Sequence, residues 1–192
     1  MVKMLKENEL AEAARIIRDG GIVAARTETV FGIAVLLSSA PKIFRAKGRD
    51  ENKRLVLQFP TLKAAQIYFG EVIGQREAKL LKHFPVGLTL VLKNDVAVRI
   101  PADPLMKKLL TLCGEPLVVT SANISGEPAS TTYEDVVRTL GDRLDAIVVS
   151  RPSKVGVAST ILKVPCPGKA DLEIVREGAI PTKAAIDFWR KM

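Results

Sequence analysis

Residues 116–131 read Pro-Leu-Val-Val-Thr-Ser-Ala-Asn-Ile-Ser-Gly-Glu-Pro-Ala-Ser-Thr, a stretch that changes abruptly from an apolar run to a dense polar loop. Leu117 to Val119 are typical of a strand that is buried on both faces. Three hydroxyls and one amide follow within six residues, before Gly126 and Pro128 end regular structure. Ligands of α/β sheets bind beyond the carboxyl ends of strands, so this loop is a candidate site. Alternatively, its side chains bond their own backbone, as in ordinary turns.

Helix and strand patterns alternate on both sides of this stretch. Upstream, the apolar stripe at residues 10–17 predicts a surface helix, and the runs at 22–25 and 30–37 predict buried strands. Downstream, a capped helix is expected near Thr132 and a strand at 145–150. The alternation predicts an α/β fold.

Polar residues also interrupt the predicted strands. Thr27-Glu-Thr separates two buried pieces, either as a strand crossing or bulge or as part of a site. The runs 88–92 and 96–100 are spaced as a β-hairpin would be. Arg99 lies inside the second run, so it must be paired or leave the core face, which makes it either an anion ligand or a sheet-edge residue.

The composition indicates one globular domain over residues 1–192, with a short tail helix at 183–192. The chain has 20.8 kDa, 47% hydrophobic and 26% charged residues, which excludes disordered and fibrous classes. Cys113 and Cys166 match no metal or redox spacing, so a reducing cytoplasm is expected. We predict no export signal and no membrane span, because the longest apolar run near the start, residues 30–37, has only eight residues.

The charge balance favours anionic partners. Lys and Arg number 29 against 21 Asp and Glu, a net charge of +8. Four of the cations fall within residues 47–54, Lys-Gly-Arg-Asp-Glu-Asn-Lys-Arg. Gly48 would let a ligand approach the backbone beside two cations that suit phosphate. Alternatively, the run is a solvated loop. The charge itself does not choose among nucleotides, nucleic acids and lipid surfaces, although the few aromatics disfavour an RNA-stacking platform.

Several familiar chemistries lack their residues. The sequence has no Gly-x-Gly-x-x-Gly, no Gly-x-x-x-x-Gly-Lys and no Gly-x-Ser-x-Gly motif. His83 is the only histidine and lies at a predicted helix end, where a structural role is expected. Metal binding through His and Cys is therefore unsupported. Hydroxyls, one amide and cations on separate loops remain, a set that suits orienting a phosphorylated anion for phosphoryl or nucleotidyl transfer.

Seven motifs in order over about residues 10–181 resemble those of the YrdC/Sua5 family, whose members are threonylcarbamoyl-AMP synthases. The motifs are Thr27-Glu-Thr-Val-Phe-Gly-Ile-Ala, Lys47-Gly-Arg, Pro85-Val-Gly-Leu-Thr-Leu-Val-Leu, Arg99-Ile-Pro, Thr120-Ser-Ala-Asn-Ile-Ser-Gly-Glu-Pro, Gly156-Val-Ala-Ser-Thr-Ile and Arg176-Glu-Gly-Ala-Ile. The resemblance implies a twisted mixed parallel and antiparallel sheet flanked by helices, with a basic concave cavity. We expect the short, single-domain form.

The resemblance implies a nucleotidyltransferase that converts L-threonine, bicarbonate and ATP into threonylcarbamoyl-AMP and pyrophosphate. This is the first step of threonylcarbamoyladenosine modification of tRNA. Mg²⁺ would accompany ATP without a dedicated protein cage, and tRNA or the proteins that transfer the product are further expected partners. Two alternatives stay open: an RNA-binding module that uses the basic cavity, and a carbamoyl-adenylate-forming domain with another acceptor.

The resemblance also implies roles for particular residues. Catalytic roles fall to Lys47 and Arg49. The threonine-binding positions are Thr27, Arg99, Ser121 and Ser159. The ATP-binding positions are Lys47, Arg49, Lys53, Asn123, Thr131 and Arg176. No metal ligand is implied.

Six positions depart from the family pattern. Arg26 and Asp50 replace prolines, Phe31 replaces a tyrosine, and the family's Pro-Gly-Pro-Leu-Thr is altered at Val86. Gln58 and Asp103 stand where the family often has histidine. These departures are expected to affect loop geometry and threonine affinity.

Overall fold

The computed structural model describes residues 2–165 and 171–192, and within these ranges ten strands form one mixed sheet. The strands are β1 (Lys3–Lys6), β2 (Val23–Arg26), β3 (Phe31–Leu36), β4 (Val56–Gln58), β5 (Leu88–Val91), β6 (Ala97–Arg99), β7 (Leu117–Ser121), β8 (Ala146–Val149), β9 (Thr160–Lys163) and β10 (Glu173–Arg176). Their order across the sheet is β1-β8-β2-β3-β7-β4-β6-β5-β9-β10. The mixed α/β fold predicted from the sequence is confirmed.

Seven α-helices flank this sheet in the described residues. They are α1 (Leu10–Arg18), α2 (Ala40–Lys47), α3 (Leu62–Phe69), α4 (Gln75–His83), α5 (Pro104–Cys113), α6 (Tyr133–Leu140) and α7 (Thr182–Arg190). Thr132 caps α6 by accepting the backbone N–H of Asp135 at 3.2 Å, as the sequence predicts. Gly48 ends α2 in the left-handed conformation, with φ of 58°.

The apolar residues form one layer on each face of the sheet. Leu117 and Val119 of β7 belong to the layer under α1 and α5. Val118 points to the opposite layer, which packs against α2, α3, α4, α6 and α7. This alternation follows the two-residue period of a strand and confirms that β7 is buried on both faces.

The polar insert Thr27-Glu-Thr lies in a hairpin connection. β2 and β3 pair antiparallel in unbroken register from Val23 opposite Ala34 to Arg26 opposite Phe31. Thr27 Oγ1 donates to the carbonyl oxygen of Val30 at 2.7 Å and so closes the connection. Reading the insert as a strand crossing or bulge is therefore wrong.

The hairpin predicted from the runs 88–92 and 96–100 is present as β5 and β6, and β6 lies between β4 and β5. Leu90 pairs with Val98 and Val91 with Ala97 in the antiparallel β5–β6 ladder. Arg99, the last residue of β6, is therefore inside the sheet and not at its edge.

The C-terminal helix α7 starts at Thr182 and ends at Arg190, whereas residues 183–192 were predicted. The His83 ring of α4 stacks on Phe188 of α7 at a centroid distance of 3.9 Å. This packing agrees with a structural role for the only histidine. None of the helices in residues 2–165 and 171–192 combines the length and the apolar character that crossing a membrane requires.

Candidate functional site

An open cavity of about 100 Å³ lies against the sheet on the same side as α1 and α5. Its floor comes from alternate strand positions, including Gln58 of β4, Thr89 of β5 and Arg99 of β6. The neighbours Leu88 and Leu90 face the opposite apolar layer. A strand thus buries its apolar face and presents its polar face to the cavity.

The cavity brings together six of the residues that the sequence predicts for ligand binding. They are Thr27, Arg49, Arg99, Ser121, Ser159 and Arg176. Lys47 and Asn123 contact each other next to Ser121 but do not line the cavity. Lys53 and Thr131 are not among the lining residues either.

The side chain of Lys47 joins the end of α2 to the polar loop that follows β7. Its ammonium donates to the Asn123 carbonyl at 2.7 Å, to Asn123 Oδ1 at 3.0 Å and to the Ser121 carbonyl. Burial, together with the smaller effects of the Arg49 and Lys53 charges, lowers the pKa of Lys47 to about 7. Only the protonated ammonium has three N–H donors, one for each of these oxygen acceptors, so the contacts favour the protonated form of Lys47.

Two arginines of the cavity wall form no ion pair within the described part of the chain. Arg49 donates to the carbonyl oxygen of Arg54 at 3.0 Å, and its Nε is buried without a partner. Arg176 donates to the Ser159 carbonyl at 2.8 and 3.0 Å. Burial lowers the pKa of both guanidiniums, and the Arg99 and Arg49 charges add to this effect at Arg176. The wall therefore carries positive charge that no carboxylate neutralises.

Arg99, by contrast, has a buried carboxylate partner. Its Nη2 lies 2.7 Å from Glu28 Oε1 and 2.8 Å from Thr29 Oγ1. Glu28 and Arg99 are both 6% or less exposed. The sequence left open whether Arg99 is paired or leaves the core face, and the structure shows it paired.

Gln58 and Arg99 occupy partner positions of the parallel β4–β6 ladder, and both line the cavity. Gln58 Oε1 and Arg99 Nε are both buried and have no hydrogen-bond partner among the described residues. Buried polar atoms are nearly always paired, so an acceptor and a charged donor left side by side indicate a ligand with complementary groups.

Buried hydroxyl pairs complete the wall. Thr27 Oγ1 lies 2.9 Å from Thr29 Oγ1, and Thr89 Oγ1 lies 2.8 Å from Ser159 Oγ. Among these, Thr29 and Thr89 were not predicted as site residues. Thr29 lies inside the polar insert that the sequence singles out, and Thr89 lies inside the motif Pro85-Val-Gly-Leu-Thr-Leu-Val-Leu, to which no site residue was assigned.

Arg54 is a further cavity residue that was not predicted as a ligand, although it belongs to the basic run 47–54. Its guanidinium lies 2.6 Å from Asp95 Oδ2, and Lys163 Nζ lies 2.8 Å from Asp95 Oδ1. Asp95 thus fixes the end of the basic loop to the β5–β6 turn.

Carboxylates are scarce around the cavity. Glu28 is already engaged by Arg99 and by the backbone N–H of Asp103 at 3.2 Å. In residues 2–165 and 171–192, no three side chains of His, Cys, Asp or Glu come together as metal ligands would. Any cation in this cavity would depend on oxygens that a ligand brings with it.

Known proteins share sequence and fold with this chain. The Sua5/YciO/YrdC family model, described as telomere recombination, matches residues 15–178. The threonylcarbamoyl-AMP synthase of Pyrococcus abyssi is 30% identical over 82% of this chain and 51% of its own length. That of Bacillus subtilis is 32% identical over 80% of this chain and 49% of its own. This chain therefore spans about half the length of these two relatives.

A solved structure of Pyrococcus abyssi Sua5 complexed with L-threonine superimposes with a TM-score of 0.84. The two proteins are 25% identical, and the superposition covers 98% of this chain and 60% of the other. The sheet and the helices described above thus have a close structural counterpart.

Proposed function

Because this chain belongs to the Sua5/YciO/YrdC family, we propose that it makes threonylcarbamoyl-AMP from L-threonine, bicarbonate and ATP and releases pyrophosphate. The observation that carries the proposal is that one cavity is lined by two kinds of polar group that lack a full set of partners among the described residues. One part offers arginine charge without a carboxylate, and the other offers an unpartnered donor next to an unpartnered acceptor. A nucleoside triphosphate and an amino acid together would supply the partners for these groups.

The triphosphate belongs with Arg49 and Arg176. Both guanidiniums line the cavity, and neither has a carboxylate partner in the described residues. Arginine binds phosphate through two parallel N–H donors, which Lys cannot match. We place ATP on this side, with Lys47 and Asn123 supporting the adjoining loop and with Lys53 and Thr131 as further nucleotide-binding positions.

The amino acid belongs with Gln58 and Arg99. Arg99 Nε is a charged donor suited to a carboxylate, and Gln58 Oε1 is an acceptor suited to an N–H or O–H group. Ser121 lines the same cavity, and we place its hydroxyl against the threonine hydroxyl, with Thr27 and Ser159 as further threonine-binding positions. Sites that leave polar groups unpaired reject ligands without the matching group, which would favour threonine over apolar amino acids.

The reaction itself needs no nucleophile from the protein. The threonine amine and bicarbonate form a carbamate and water, and a carbamate oxygen then attacks the α-phosphorus as the bond to pyrophosphate breaks. The protein's part is to hold the two substrates in line and to neutralise charge on the phosphates, a task for Arg49 and Arg176. Mg²⁺ would enter with ATP, held by phosphate oxygens and water, because Glu28 is already engaged.

The product is a mixed anhydride from which AMP is a good leaving group, so the product would be transferred to its acceptor soon after it forms. We propose that it supplies threonylcarbamoyladenosine modification of tRNA in the cytoplasm, with tRNA or the transfer proteins as partners. The net charge of +8 supports contact with an anionic partner.

The proposal is tested by measuring pyrophosphate release with ATP, labelled bicarbonate and threonine. We expect release only when all three are present, and label in a product that contains threonine and AMP. Release without threonine would contradict the proposal and point to another acceptor. Salt-dependent RNA binding without ATP binding would point to an RNA-binding module instead.

A further inference from the structure

Arg26 and Asp103, two of the departures from the family pattern, contact each other. Arg26 Nε lies 2.9 Å from Asp103 Oδ2, and Arg26 Nη2 lies 3.3 Å from Asp103 Oδ1. Their side chains are only 5% and 8% exposed. This is a buried two-pronged pair, in which each departure supplies the partner that the other needs.

The pair is anchored at its outer end. Arg26 Nη1 lies 3.1 Å from Oε1 of Glu7, which is half exposed. Asp103 Oδ1 also accepts the backbone N–H of Leu105 at 2.8 Å and so caps α5. Arg26 is the last residue of β2, so the pair ties β2 to the start of α5.

At its inner end the pair leads to the cavity through Glu28. The backbone N–H of Asp103 donates to Glu28 Oε2 at 3.2 Å, while Glu28 Oε1 accepts Arg99 Nη2 at 2.7 Å. Both oxygens of Glu28 are thus in use. Because Nη2 of Arg99 is held by Glu28 and Thr29, the guanidinium is fixed in its place in the cavity wall.

We infer that Arg26 and Asp103 form a positioning pair that holds Glu28, and through it Arg99, in the orientation that binds the carboxylate of the amino acid substrate. The inference rests on the proposed function. Neither Arg26 nor Asp103 lines the cavity, so the pair acts through Glu28 and not by touching the ligand. The affinity of the Arg99 guanidinium for a carboxylate depends on the direction of its N–H groups. A pair that fixes this direction therefore matters for binding.

The experiment compares Asp103→Asn and Arg26→Lys with the unaltered chain. Asparagine keeps the cap of α5 and the backbone N–H to Glu28 but loses the charge, while lysine keeps the charge but loses the planar fork. The matched control is Asp171→Asn, because Asp171 pairs with Arg190 in the same two-pronged way at 2.6 and 2.8 Å but on the surface. Pyrophosphate release gives KM for threonine, KM for ATP and kcat, and thermal melting verifies folding.

We expect each test variant to raise KM for threonine about tenfold, with KM for ATP unchanged and the Asp171→Asn control unaffected. The double variant Arg26→Lys with Asp103→Asn should raise it no further than the worse single variant, because both changes break one unit. Folded variants with an unchanged KM for threonine, or with equal rises in both KM values, would overturn the inference alone. No threonine-dependent release by the unaltered chain would overturn the proposed function, and this inference with it.

Discussion

The ammonium nitrogen of Lys47 lies 2.7 Å from the carbonyl oxygen of Asn123 and 3.0 Å from its Oδ1, although 76 positions separate the two residues. The contact joins the Lys-x-Arg and Ser-x-Asn motifs, which were quoted from different parts of the chain. It also gives Lys47 a structural task, because the same ammonium donates to the Ser121 carbonyl.

Replacing Lys47 by Met removes these donors and leaves buried oxygens without partners. Each unsatisfied buried acceptor costs about 1–3 kcal/mol, so we expect the free energy of unfolding to fall by about 3 kcal/mol. Urea unfolding measures this change. Lys63→Met, on the exposed surface of α3, is the control and should stay within about 0.5 kcal/mol of the unaltered chain. Equal effects of the two changes would contradict a structural role of Lys47.

Gln58→Leu should separate stability from activity. Gln58 Oε1 has no partner in residues 2–165 and 171–192, so an apolar side chain of similar size is expected to leave the unfolding free energy unchanged or higher. Threonine affinity should fall about tenfold or more, because the acceptor for the ligand is lost. Calorimetric titration with threonine and urea unfolding measure the two quantities.

Gln66→Leu, on the exposed face of α3, is the matched control for Gln58→Leu. It should leave threonine binding unchanged. Unaltered threonine affinity in Gln58→Leu, or a loss of stability as large as the loss of binding energy, would show that Gln58 is not a ligand.

The pairing of Asp95 predicts a pH dependence. Hydrogen bonds from Arg54 and Lys163 lower the pKa of Asp95 from 3.8 to about 2. A carboxylate with a depressed pKa in the folded state stabilises above its unfolded pKa, and this contribution is lost as pH falls from about 4 towards 2.

Asp95→Asn tests this dependence without straining the turn, because Asn tolerates the positive φ of 64° found at this position. The melting temperature of the variant should lie below that of the unaltered chain at pH 6. The difference should shrink between pH 4 and pH 2. A difference that is constant across this range would contradict the assignment.

The thiol of Cys113 should be unreactive in the folded protein. Cys113 is buried, and burial raises its pKa to about 11, with the Glu115 charge acting in the same direction. At pH 8 the thiolate fraction should be roughly 200-fold below that of a free thiol, since only the thiolate reacts. Thiol titration of a Cys166→Ser variant isolates Cys113, because Cys166, which lies outside the described residues, is the only other cysteine of the sequence. Fast labelling without urea would contradict burial of this thiol.

Local patterns were enough to predict most elements and part of the site. The apolar stripe of α1 and the cap of α6 are properties of neighbouring residues, and the structure has both. The polar insert at Thr27 could not be assigned in this way, because the same residues suit a bulge and a hairpin until the partner strand is known. The lining role of Thr89 was missed although the residue belongs to the motif that begins at Pro85, because the motif does not show which face of the sheet the side chain occupies.

The order of the strands in the sheet determines which side chains meet, and local sequence patterns do not show this. Arg99 needed a partner, but only the order of β4, β6 and β5 and the fold of the β2–β3 hairpin bring Glu28 to it. Arg26 and Asp103 were separate departures from the family pattern, expected to affect loop geometry. They compensate each other because the fold places them in contact across 77 positions.

The sheet order also bears on how the chain matures during synthesis. β1 pairs with β8 and β5 pairs with β9, so neither half of the sheet is complete until the last third of the chain has been made. The buried partners of Arg26 and Glu28 are also synthesised well after them, because Asp103 and Arg99 follow by 77 and 71 positions. A ligand that contacts both Arg49 and Arg176 would join an early segment to a late one, and its binding energy would stabilise the whole fold against unfolding.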